Sequence, residues 1–131
     1  MKIALLLFIA FACAAHARIR PHWEKCDSIG NFQLYSITLN DTPIVGQDSI
    51  FRICGFVEER FSVSIDEIHI TAYDGSKTVL DKRLKEDVSI YNEDYCFDIT
   101  LKIPQNKYSE TMWFKFEFGK LAACADVAIT L

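Results

Sequence analysis

The chain has 131 residues, of which 14 are basic and 18 acidic, for a formal charge of −4, and half of it is hydrophobic. This mild acidity argues against a nucleic-acid partner, which favours a basic face, and it offers no standing attraction to anionic membranes. Beyond the first residues, no apolar run is long enough to cross a bilayer as a helix.

In chain order, residues 1–17 read as a secretory signal. Lys2 supplies the positive start, Ile3 to Ala14 the apolar run, and Ala15-His16-Ala17 the small-x-small cleavage pattern. Residues 18–131 then form one domain, with a formal charge of −5 once Lys2 is removed. Cys13 leaves with the signal, so Cys26, Cys54, Cys96 and Cys124 remain. An even count on an oxidising route reads as a disulfide framework rather than a metal site, and four cysteines allow three pairings. Asn40-Asp41-Thr42 is a glycosylation sequon whose use is disfavoured by Pro43.

The domain itself alternates with period two between turn residues, the mark of half-buried strands. Tyr35, Ile37 and Leu39 share one face of the first such stretch, and Ile50 to Val57 is a second, more apolar run. Ile68, Ile70 and Ala72 lie opposite His69, Thr71 and Tyr73; Asp74-Gly75 then predicts a hairpin turn with Thr78 to Leu84 returning. Phe97, Ile99, Leu101 and Ile103 precede Pro104, and Met112, Phe114, Phe116 and Phe118 alternate with Trp113, Lys115 and Glu117. Ala125, Val127, Ile129 and Leu131 close the chain. About seven short strands and no amphipathic helix predict an all-β antiparallel sandwich of two sheets, in preference to a closed barrel of about eight longer strands.

Catalytic signals are poor. His22 and His69 read as surface imidazoles, and Glu58-Glu59 and Glu93-Asp94 fall in loops, so neither an enzyme nor a metal or other cofactor is expected. The run from Asp81 to Asp87 mixes both signs and reads first as a solvated edge; its cations Lys82, Arg83 and Lys85 also suit an anionic lipid headgroup. The inward stripe has two accounts: an ordinary filled core, the plainer one, or two sheets held apart around an apolar cavity. Alternation alone selects Phe51, Ile53, Ile70, Ile99, Leu101, Phe114, Phe116 and Val127 as the lining of such a cavity, and a one-residue slip would reverse each.

Three stretches carry a family resemblance: Trp23-Glu24-Lys25-Cys26, SITLNDTPIVGQ (36–47) and GKLAACADVAITL (119–131). Over about residues 23–131 the chain resembles the ML lipid-recognition family, which includes sterol carriers, mite allergens and phosphatidylglycerol/phosphatidylinositol transfer proteins. The resemblance implies an immunoglobulin-like sandwich with one lipid, sterol or phospholipid, between its sheets. It further implies a secreted or endolysosomal carrier, most simply a monomer, in transient contact with membranes or a lipid-accepting protein. Carried over by position, the family's bridge between first and last cysteines gives Cys26–Cys124. Many relatives also have a close cysteine pair just before the strand that here begins near Cys96, and this chain lacks it. Cys54, mid-strand in IFRICGF, is left for Cys96, a pairing expected by elimination and from the secretory setting, with a free Cys54 packed in the apolar strand as the alternative. The alternative function is an extracellular protein-interaction module with a filled core, or a lipid-presenting accessory protein of a receptor.

Overall fold

The computed structural model describes residues 18–26, 30–120 and 122–131, so the signal expected at 1–17 lies outside the described residues. Eight strands follow one another: β1 (His22–Lys25), β2 (Gln33–Leu39), β3 (Asp48–Phe56), β4 (Ser62–Asp74), β5 (Lys77–Tyr91), β6 (Asp94–Lys102), β7 (Thr111–Phe118) and β8 (Ala123–Thr130). They form two antiparallel sheets, a larger one in the order β1-β8-β7-β4-β5 and a smaller one in the order β2-β3-β6. The expected all-β two-sheet sandwich is thus the observed fold.

Alternation places most of the apolar set correctly. Ile68, Ile70 and Ala72 on β4, Phe114, Phe116 and Phe118 on β7, and Ala125 and Val127 on β8 are all fully buried. From the smaller sheet Phe51, Ile53, Ile99 and Leu101 face them. Each large side chain so buried contributes roughly 1.5–3 kcal/mol relative to exposure.

Three expectations need correction. Tyr35 does not share the inner face of Ile37 and Leu39: a bulge between Leu34 and Ser36 sets it aside, leaving it 53% exposed, and Leu34 takes the inner place. The return strand does not stop at Leu84 but runs to Tyr91. A short first strand, His22–Lys25, pairs with β8 and had no alternation to announce it.

The turn at Asp74-Gly75 is where expected. Asp74 pairs with Lys77 across a two-residue turn in which Gly75 has φ of +63°, which costs glycine little. Gly55 serves another purpose. A Cβ there would stand 2.8 Å from both the Gln33 carbonyl oxygen and the Phe32 ring, so only glycine lets Phe32 fold down onto β3.

Both disulfides lie within a sheet. Cys26–Cys124 ties the end of β1 to β8, with Cα atoms 5.2 Å apart and a backbone hydrogen bond from Cys26 N to Cys124 O. Cys54–Cys96 joins directly opposed residues of β3 and β6, 4.1 Å apart. Such bridges are compatible with an extracellular or lumenal protein. Among the described residues no helix is long and apolar enough to cross a membrane.

Candidate functional site

The space between the sheets is where the strands bring the eight selected residues together. Phe51, Ile53, Ile70, Ile99, Leu101, Phe114, Phe116 and Val127 are each at most 1% exposed and belong to one apolar cluster. At its centre the Phe51 ring lies 5.2 Å from that of Phe114 and 5.3 Å from that of Phe116, the spacing of packed aromatic pairs. Toward the Cys26–Cys124 end, Phe97 packs on Phe118 at 5.3 Å, and Phe32 meets both edge-on at 5.9 Å.

Three well-formed cavities among the described residues lie away from these eight side chains. One of about 200 Å³ lies at the Cys124 end, bounded by Lys25, Gly30, Phe32, Gln33, Leu34 and Ala122 to Cys124. A second, about 210 Å³, sits at the β4–β5 bulge between Ser64 and Ser89. The third, about 360 Å³, opens between the start of β5 and the segment after β6, and is lined by Asp74, Lys77, Thr78, Val79, Pro104, Gln105, Lys107 and Tyr108.

The two sides of the sandwich are closed differently. On the β1 side the chain crosses between sheets: Ile19 and Leu39 exchange backbone hydrogen bonds of 2.9 and 2.8 Å, while β1 itself belongs to the larger sheet. On the opposite side β5 is an edge strand, and its Leu80, Leu84 and Val88 are only partly buried. The aromatic contacts explain this. Rings of β3 and β6 rest on β7, two strands short of β5, so the smaller sheet covers β5 incompletely from Leu80 to Val88, whereas Ile90 near its end is fully buried.

Asp74 had read only as a turn residue, and the structure gives it a larger part. Its side chain is 1% exposed and accepts backbone N–H bonds from Lys107 at 2.6 Å, Tyr108 at 3.1 and 3.2 Å, and Ser109 at 2.9 Å. The Lys107 amide lowers its pKa most. Burial opposes this, and the Tyr108 and Ser109 amides and the Lys77 charge lower it further. The carboxylate thus anchors the 104–110 segment against the β4–β5 hairpin. No sequence signal could have found this, since the partners are backbone amides more than thirty positions away.

The sign of the linkage is definite. A depressed folded pKa means that the contribution of Asp74 is complete above about pH 4, the ordinary carboxylate value, and is lost as pH falls through the lower folded value. Urea titrations of the wild type and of Asp74→Asn should therefore differ by a constant amount from neutral pH down to about pH 5, with the variant less stable, and converge in stronger acid. Equal midpoints at neutral pH would show that the carboxylate does not anchor the segment.

The outer face of the larger sheet is polar. His69 Nε2 lies 2.7 Å from Asp81 Oδ1 and its Nδ1 3.7 Å from Glu117, linking β5, β4 and β7. Asp126 has its pKa raised by burial, with Lys115 opposing and Glu24 and Glu117 adding to the rise. No nucleophile stands beside His69 in these contacts, and among the described residues no cluster of ligands could hold a metal. Asn40 is exposed at the end of β2, where its side-chain oxygen accepts the Ile50 N–H at 2.9 Å.

These features define a two-sheet, doubly bridged β-sandwich with an apolar interior and an incompletely covered β5 strand. Neither the protein-family models nor the curated proteins compared with the chain contain a match.

Proposed function

We propose that this is a lipid-binding and transfer protein of the ML type, secreted or resident in the endolysosomal lumen, that holds one sterol or phospholipid between its sheets. The supporting observation is the mismatch of the sheets: three strands stand over five, and the inner side of β5 is left as a partly exposed apolar ledge. Because the central rings are in contact, a lipid enters from the β5 side by parting the two sheets rather than by filling a standing void. The gain is apolar area removed from water, at roughly 25 cal/mol per Å². Exchange then takes place in brief contact with a membrane or an accepting protein.

The closed centre favours a second reading, an extracellular interaction module with a filled core. One experiment separates them. Delipidated, disulfide-bonded protein is titrated with a fluorescent sterol and a fluorescent phospholipid; saturable uptake of either at one lipid per chain is expected. Folded protein that takes up neither supports the interaction module instead.

A further inference from the structure

We propose, on the footing of that lipid-binding reading, that the inner side of β5 is a headgroup site and that it selects acyl lipids whose head carries one negative charge. Cross-strand partners in an antiparallel ladder point to the same face. On β4, Ile68, Ile70, Ala72 and Asp74 are buried between the sheets, and their partners on β5 are Leu84, Lys82, Leu80 and Lys77. Two lysines therefore interleave with two leucines on the side of the edge strand that faces the inter-sheet space.

Two neighbouring charges of this run, Asp81 and Arg83, are turned away and engaged. Asp81, opposite Thr71, meets His69, and Arg83, opposite His69, donates to Glu67 at 2.6 Å. Among the described residues neither Lys77, Lys82 nor Lys107 forms an ion pair. Lys77 and Lys107 also border the 360 Å³ cavity at the foot of the ledge, where the Asp74 carboxylate accepts from three backbone amides and also feels the Lys77 charge, which leaves Lys107 and Lys82 as the freer cations. Glu86, four residues past Lys82 and about 13 Å along an extended strand, lies beyond a physiological screening length from it.

This arrangement suits an amphiphile. An acyl tail can lie along Leu80 and Leu84 and enter between the sheets from the β5 side, while a phosphodiester or carboxylate is held by the ammonium groups at the rim. A neutral sterol uses the ledge and leaves the lysines without a partner. Inward lysines on an edge strand have a competing explanation, since they also prevent edge-to-edge pairing of chains. The two roles make different forecasts.

The test uses delipidated full-length secreted protein and three donor vesicles: phosphatidylcholine alone, with phosphatidylglycerol, or with cholesterol. Each carries the matching fluorescent lipid, and oleate in solution forms a fourth arm. Lys82→Gln and Lys107→Gln should each lower phosphatidylglycerol uptake about tenfold and phosphatidylcholine uptake, whose phosphate is already balanced by its own choline, far less, with cholesterol uptake unchanged, whereas Arg83→Gln should change none. A parallel loss of oleate would show that any single negative charge is read; retained oleate binding would show that the phosphodiester is read. The proposal fails if Lys82→Gln and Lys107→Gln match Arg83→Gln, or weaken charged and neutral lipids equally. It fails likewise if Lys82→Gln promotes self-association with headgroup preference intact. Wild-type protein that takes up no lipid from any donor overturns the lipid reading itself, a separate outcome.

Discussion

Replacing Cys26 and Cys124 together by alanine should lower the unfolding free energy by about 4 kcal/mol. The bridge spans 98 residues, but Cys54–Cys96 short-circuits 42 of them in the unfolded chain, leaving a closed loop of roughly 57 residues. Chain entropy depends only on the logarithm of that length, so the second bridge reduces the effect of the first by well under 1 kcal/mol. For a domain of this size the loss corresponds to a fall in Tm on the order of 15 °C. The measurement is urea unfolding of the double variant, which frees no single thiol to mispair. A loss below about 1 kcal/mol would mean that β1 and β8 are held by their ladder and core contacts alone.

Phe51→Ala should cost about 3–5 kcal/mol, the range for removing a buried aromatic ring without collapse of the surroundings. Phe51 is fully buried at the contact of the two sheets, its ring against both Phe114 and Phe116. These partners are locked in neighbouring positions of β7, which pairs on both sides, so they cannot move far to fill the space. Urea unfolding with an unchanged m-value would register the loss as one of stability. A cost under about 1 kcal/mol would show that the rings stand apart in solution and that the centre is already open.

How much of this could be read in advance depended on where each element sits. Strand β7 was plain from Met112, Phe114, Phe116 and Phe118, because a central strand buries one whole face and leaves Lys115 and Glu117 on the other. The turn at Asp74-Gly75 was equally plain, since its requirement is local. Edge strands gave weaker signals. β5 carries Lys82 between Leu80 and Leu84, so its pattern resembled a solvated charge run, and its extent to Tyr91 emerged only from pairing with β4. The exposed position of Tyr35 depends on a bulge, which shifts parity by one residue and has no clear signature in LYSITL. For the site, alternation collected the buried set on β3, β4, β6, β7 and β8, but not the ledge. Lys82 shares the parity of Leu80 and Leu84, but the inward side of Lys77 follows from the irregularity between Ala72 and Tyr73, a property of two strands together.

The central claim, that one lipid is held between the sheets, meets its most direct test in native mass spectrometry of the protein secreted by eukaryotic cells. Both disulfides should be intact, and a population should carry one added mass that is released on denaturation and identified as a single lipid. Folded, doubly bridged protein observed only at the mass of the chain, even after incubation with mixed phospholipid and sterol vesicles, would contradict the account.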